Sequence, residues 1–167
     1  TMDSRGLAAA PVLERDAKPG SVALSPGGVG RNIADKLALL GQPVKFISVF
    51  GGDAWATPLV QGCRNAGVDI RQCPTLADGA TSVYLFITNE KGEMELAVSD
   101  MVVYEQITPD FLAARMHIIN RAQLCITDTN IPQESLTYLA QHCTVPLFAD
   151  TVSTTKTKKT AGPSPHL

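Results

Sequence analysis

From Gly28 onward the chain alternates helical and β patterns, punctuated by proline and glycine, and this alternation limits the fold more than any other feature. Val29, Ile33, Leu37 and Leu40 recur at helical spacing, Gly41 stops the helix, and Pro43 prevents its continuation. Val44 to Val49 follows as an apolar, β-branched strand candidate. The unit then repeats. Thr57 and Pro58 read as an N-cap and first helical position, Leu59, Cys63 and Ala66 form the stripe, Gly67 closes it, and Val68 to Cys73 is the next strand. Thr108-Pro109 caps a helix carrying Phe111 and Leu112, and Leu124 to Thr127 is a strand. Pro132 opens a helix with Leu136, Leu139, Ala140 and Cys143 on one face, and Val145 to Ala149 is another strand. Strands alternating with helices imply an α/β domain whose mostly parallel sheet is covered on its faces.

One segment breaks this rhythm. Between residues 81 and 98 the period becomes two, with Val83, Leu85 and Ile87 alternating with Tyr84, Phe86 and Thr88 before the turn Asn89 to Gly92. This reads as an antiparallel hairpin in a separate small β element, which Val22-Ala23-Leu24 of the N-terminal stretch could join. The last eight residues, 160–167, hold two prolines and no apolar period, the composition of a disordered tail.

At 167 residues, 44% hydrophobic, the chain is long enough for one core, and its net charge of -2 gives no general attraction to nucleic acid. No apolar run is long enough to span a bilayer, and no export signal opens the chain. Cys63, Cys73, Cys125 and Cys143 stand at least ten residues apart without a Cys-x-x-Cys pair, which excludes a zinc ribbon. Buried reduced thiols and a cytoplasmic location are expected.

Ligands of open parallel sheets bind beyond the carboxyl ends of the strands, where this sequence places Asp128-Thr129-Asn130 and Asp150-Thr151-Val152-Ser153. Each residue could equally cap a helix, and it is the pair of clusters on one edge that favours a ligand cleft. Ser25 to Asn32 opens the first helix with three glycines. A tight turn and a ligand-binding turn explain these glycines equally well, and the neighbouring Asn32 amide tips the balance toward a ligand. The dinucleotide fingerprint fails because Ile33 occupies its third glycine position, and a Walker A loop fails because no Gly-Lys pair exists.

Gly27-Gly28-Val29-Gly30-Arg31-Asn32-Ile33-Ala34, followed by Leu37 to Gly41, resembles the first signature of the ribokinase-like (PfkB-type) carbohydrate kinases. Gly51-Gly52-Asp53 and Gly67-Val68-Asp69 match its second stretch. With Val98 to Met101, Asp128 to Pro132 and Asp150 to Ser153, the whole is most similar to the pseudouridine kinase branch, over about residues 3–159.

The resemblance implies a three-layer sandwich with a small β lid (about 4–25 and 81–98), a homodimer formed through that lid, and transfer of phosphate from ATP, with Mg2+, to a sugar hydroxymethyl group. It places Asp3, Gly27, Gly28, Asn32, Thr81 and Asn130 at the sugar or nucleoside, and Asp150, Ser153 and Lys156 toward the ATP phosphates. Lys156 to Lys159 read equally well as a solvated helix end. It assigns no metal ligand.

The family's catalytic aspartate lies in a Gly-Ala-Gly-Asp turn that this sequence lacks. The resemblance therefore covers a partial domain, expected to be inactive alone. Two alternatives stay open: a non-catalytic binding or dimerisation fragment, and a sugar kinase of the ribokinase or fructokinase branch.

Overall fold

Two sheet systems divide the β structure of this computed structural model, which describes residues 1–12, 17 and 19–152. The tail reading at 160–167 lies outside the described residues.

The first system is a four-stranded sheet of β1 (Met2–Ala8), β2 (Gly20–Pro26), β5 (Val83–Thr88) and β6 (Met94–Asp100), in the order β2-β1-β5-β6. β1 runs antiparallel to β2 and parallel to β5, and β5 runs antiparallel to β6. The hairpin follows from its turn chemistry. Asn89 Oδ1 accepts from the N–H groups of Lys91 and Glu93 at 3.0 Å, and Gly92 adopts φ 81°. The Val22 run joins through β2, and Met2 to Ala8 joins as well.

The second system consists of two separate parallel pairs. β3 (Phe50–Gly51) pairs with β4 (Thr75–Leu76), and β7 (Cys125–Asp128) pairs with β8 (Leu147–Asp150). The strands expected over 44–49 and 68–73 are not continuous. Lys45 bridges Asp69 and Phe50 pairs with Thr75, so one extra residue enters the second segment between the two contacts. A turn at 70–73, where Cys73 donates its N–H to Ile70, absorbs that residue and interrupts the ladder. The mostly parallel sheet expected from the alternation takes the form of these two parallel pairs among the described residues.

Helices α1 (Val29–Leu39), α2 (Ala56–Asn65), α3 (Pro109–Ala113), α4 (Met116–Ile119) and α5 (Gln133–His142) cover these pairs, with a 3-10 turn at Val102–Gln106. Gly41 and Gly67 close α1 and α2 at φ 79° and 78°, and Thr108 caps α3 by accepting from Phe111 N–H. Three details differ from expectation. α2 starts at Ala56, because Asp53 Oδ1 accepts from the N–H groups of Trp55 and Ala56 and caps the helix ahead of Thr57. Ala34 is the buried residue of α1, while Leu40, just past the end of the helix, lies 75% exposed. In α5, Ala140 is exposed and Ser135 is buried, its hydroxyl donating to the Ile107 carbonyl.

The main core joins Val49, Val103, Ile107, Leu112, Ile119 and Leu139. A second cluster of Met2, Phe50, Ala56 and Leu59 ties β1 to β3 and α2. All four cysteines are free. Burial pushes the Cys73 and Cys125 thiols up to about 12, which makes them inert packing groups.

Candidate functional site

The turn from β2 into α1 is built against Asp3. Gly27 donates its N–H to the Thr1 carbonyl at 2.9 Å, and a Cβ at Gly27 would overlap the Asp3 carboxyl group. Gly28 has φ 97°, a conformation that side chains disfavour. Arg31 fastens the turn: its guanidinium donates to the Gly27 carbonyl at 2.9 Å, the Pro26 carbonyl at 2.7 Å and Asn32 Oδ1 at 2.6 Å, and it pairs with Asp35. Burial raises the Asp3 carboxyl above the usual range, opposed by the Thr1 amine and Arg31. A partly desolvated carboxylate of this kind gains most from hydroxyl or amide donors.

The carboxyl ends of β7 and β8 meet this turn. Asp128 Oδ2 accepts from Gly30 N–H at 3.0 Å and its Oδ1 from Asn130 N–H at 2.8 Å. The positive end of α1 thus already faces a carboxylate. Asp128 and Asp150 are in register, and the buried Thr129 donates its N–H to the Asp150 carbonyl and its hydroxyl to the Thr151 carbonyl. Asp150 Oδ1 accepts from Val152 N–H at 2.8 Å, and Val152 holds φ 60°, a strained conformation for a β-branched residue.

Of the residues singled out from sequence, Asp3, Gly27 and Gly28 form one contact group. Asn32 stands exposed on the first turn of α1, and Asn130 connects to the same helix through Asp128. Asp150 lies on the shared edge. Thr81 is turned elsewhere: its N–H and hydroxyl donate to Asp53 at 2.7 and 2.6 Å. Ser153 and Lys156 lie outside the described residues.

Sequence reasoning missed two features. Asp53 is the latch between the two sheet systems, and its carboxyl falls below the usual range because the bonds from Thr81, Ala56 and Trp55 outweigh its burial. The second is the cross-strand row Ser25, Asp3, Tyr84 and Ser99. The parity of the strand alternation signals it, since Tyr84 points opposite to Val83 and Leu85.

Carboxylates, amides and hydroxyls dominate this site, a donor and acceptor set that suits a polyhydroxylated neutral molecule. Among the described residues, the groups at the Asp128 and Asp150 edge include no lysine or arginine. Among the described residues, no three acidic, histidine or cysteine side chains group to hold a metal ion.

Parallel strand pairs under helices, a small antiparallel-rich lid sheet and a glycine turn closed on an aspartate define an α/β protein of ribokinase-like architecture. The same fold occurs in a carbohydrate kinase from Agrobacterium tumefaciens, with a TM-score of 0.81 and 32% identity over 95% of this chain and 53% of that one. A ribokinase from Thermotoga maritima shares the fold at a TM-score of 0.80, with 14% identity over 90% of this chain and 50% of its own.

Residues 5–160 match the pfkB family of carbohydrate kinases, and the chain belongs to that family. It is 38% identical to an uncharacterized sugar kinase, YeiI, from Escherichia coli over 95% of this chain and 44% of that protein. It is 37% identical to the pseudouridine kinase of the same organism over 86% of this chain and 46% of that protein. The chain thus spans under half the length of these relatives. No helix among the described residues is long and apolar enough to cross a membrane.

Proposed function

We propose that the chain supplies the sugar-binding part of a kinase that phosphorylates the hydroxymethyl group of a nucleoside, with pseudouridine as substrate. The observation that carries this reading is the Asp3 carboxylate held against the Gly27-Gly28 turn by Arg31 and the Thr1 carbonyl. Asp3 accepts from sugar hydroxyls, Asn32 and Asn130 offer amides at the rim, and the row from Ser25 to Ser99 faces the base. The 37% identity to a pseudouridine kinase supports the choice of nucleoside.

ATP, with Mg2+, would supply the transferred phosphoryl group; Asp150 would flank its approach, and the family resemblance assigns Ser153 and Lys156 to the same role. Phosphoryl transfer also needs a base for the attacking hydroxyl. The Gly-Ala-Gly-Asp turn expected to carry it is absent from the sequence, so the chain alone binds without turnover.

Calorimetry with pseudouridine, ribose and fructose tests the substrate. Pseudouridine is expected to bind one to one, with Asp3→Asn weakening it at least tenfold. Preference for ribose or fructose selects the other sugar-kinase branch, and binding of none favours the dimerisation fragment. Detectable ATP-dependent phosphorylation of pseudouridine by the purified chain would refute the inactivity.

The same reading includes a homodimer through the lid and a cytoplasmic setting. Supporting the dimer, Val22, Leu24, Leu85, Leu96 and Val98 project from one side of the lid sheet at 42% to 76% exposure.

A further inference from the structure

The Arg31 side chain is only 11% exposed, its guanidinium wedged between the end of β2 and the first turn of α1. A guanidinium carries five N–H donors and no acceptor. Nε donates to the Gly27 carbonyl at 2.9 Å, and Nη1 pairs with Asp35. Nη2 spends both its hydrogens, on the Pro26 carbonyl at 2.7 Å and on Asn32 Oδ1 at 2.6 Å. That last contact settles a choice an amide leaves open. The oxygen and nitrogen of an asparagine side chain exchange places by a half-turn, but a group that only donates can be faced only by Oδ1. Arg31 therefore turns Asn32 Nδ2 outward, and among the described residues nothing accepts from it.

The same nitrogen fixes where this donor sits. Because Nη2 also touches Pro26, the last residue of β2, the amide is held next to Ser25, the cross-strand partner of Asp3. The Asp3 carboxylate only accepts, and Asn32 Nδ2 only donates. A hydroxyl does both, so neighbouring sugar hydroxyls match the two groups. Asp35 holds the guanidinium in turn. Its Oδ2 takes the Arg31 pair one turn along α1, while its Oδ1 is buried without a partner among the described residues. A half-satisfied buried carboxylate is costly, so the pair adds little to stability, and its effect is to fix the guanidinium in place. Lysine could not substitute, because one ammonium nitrogen cannot span Gly27, Pro26, Asn32 and Asp35.

We propose that Arg31 is a positioning residue for the substrate, holding the Asn32 amide as a one-way donor to a sugar hydroxyl, with Asp35 fixing the guanidinium. This role rests on the proposed sugar site and deepens it. The site then selects a ligand that offers a hydroxyl acceptor beside the hydroxyl bound by Asp3.

Calorimetry with pseudouridine reads the coupling between the two residues. Arg31→Lys and Asn32→Ala are each expected to weaken binding about tenfold, as for the loss of one hydrogen bond. If Arg31 acts through the amide, the double variant binds like Asn32→Ala alone, whereas additive losses, about a hundredfold together, overturn the proposal. A second readout needs no ligand. Nitrogen relaxation should show the Asn32 side-chain amide as rigid as the α1 backbone in the parent and mobile in Arg31→Lys, on the picosecond to nanosecond scale. A mobile amide in the parent, or a rigid one in the variant, overturns the proposal. Should Arg31→Lys fail to fold, Asp35→Asn frees one edge of the guanidinium and is expected to loosen the amide, and unchanged relaxation there counts against the proposal in the same way. A rigid amide in a parent that binds none of pseudouridine, ribose and fructose refutes the sugar site, and the role with it. A parent that binds with a mobile Asn32 amide refutes the positioning role alone.

Discussion

The lid sheet and the central strand pairs solve opposite halves of the same problem. In the lid, four strands pair continuously and satisfy one another's backbone, but an apolar side is left open to solvent. In the centre, helices cover the faces, and a cavity of about 1050 Å³ separates residues 44–51 from β7. The difference comes from contact range. Hairpin partners are neighbours in sequence and are brought together by a turn, whereas parallel strands need crossovers and a partner from a distant segment. Turn chemistry near in sequence assembles the first sheet, whereas the second depends on pairings between distant segments.

The two systems meet at Asp53, so its loss should separate them most sharply. Its carboxylate accepts four hydrogen bonds, two from Thr81 ahead of β5 and two from the start of α2. Asp53→Ala is expected to cost about 3 kcal/mol in urea unfolding, because bonds to a charged acceptor are lost together with a helix cap. If lid and centre are independent, exchange in β5 and β6 will not change. If the latch couples them, both strands will exchange faster.

Gly27→Ala follows in size. The added methyl overlaps the Asp3 carboxyl group, so β1 or the turn must shift, at about 2 kcal/mol. Ligand binding should fall further than stability does, since Asp3 is the displaced group. An unchanged affinity in calorimetry would remove Asp3 from the site.

Much of this was legible in the sequence because glycine, proline and asparagine act locally. The stops at Gly41 and Gly67, the Thr108 cap and the Asn89 turn all depend on residues within a few positions. The sheet edges were harder to read. The extra residue between the Lys45 and Phe50 pairings depends on a turn at 70–73 that no period announces. At the site, the glycine turn and Asp3 stood out through their resemblance to a family signature. Asp53 as a latch did not, because its Thr81 partner lies 28 residues away. Ser135 was hidden for the same reason: its partner is the Ile107 carbonyl, and only that contact makes a buried hydroxyl acceptable.

A smaller effect probes the outer strand of the centre. Hydrogen bonds from Arg71 hold the Asp69 carboxyl down at about 2. A depressed carboxylate adds stability that is full above its unfolded pKa, near 4, and disappears as pH falls through about 2. Asp69→Asn should therefore lower stability by a small amount at neutral pH, small because the pair is solvent-screened, leave it unchanged near pH 2, and so flatten the acid limb of the stability profile. Acid unfolding followed by circular dichroism checks this, and an unaltered acid limb would show that the bond to Arg71 does not persist in solution.

The smallest expected change in stability falls on the lid, where it sharpens the contrast between face and edge. Val22 and Leu24 in β2 share one side of the sheet with Leu96 and Val98 in β6, because Val22, Gly6, Ile87 and Leu96 form one cross-strand row and Leu24, Ser4, Leu85 and Val98 the next. Lysine at Val22 and Leu24 touches no buried contact, and unfolding free energy should stay within about 0.5 kcal/mol of the parent. Self-association is different. An apolar face that pairs with a second copy cannot bury two ammonium groups without partners, so the proposed lid dimer should not form in this variant. Sedimentation velocity across a concentration series reads this directly. A parent that is monomeric throughout, or a double-lysine variant that remains dimeric, would mean that the lid side is not where two copies meet.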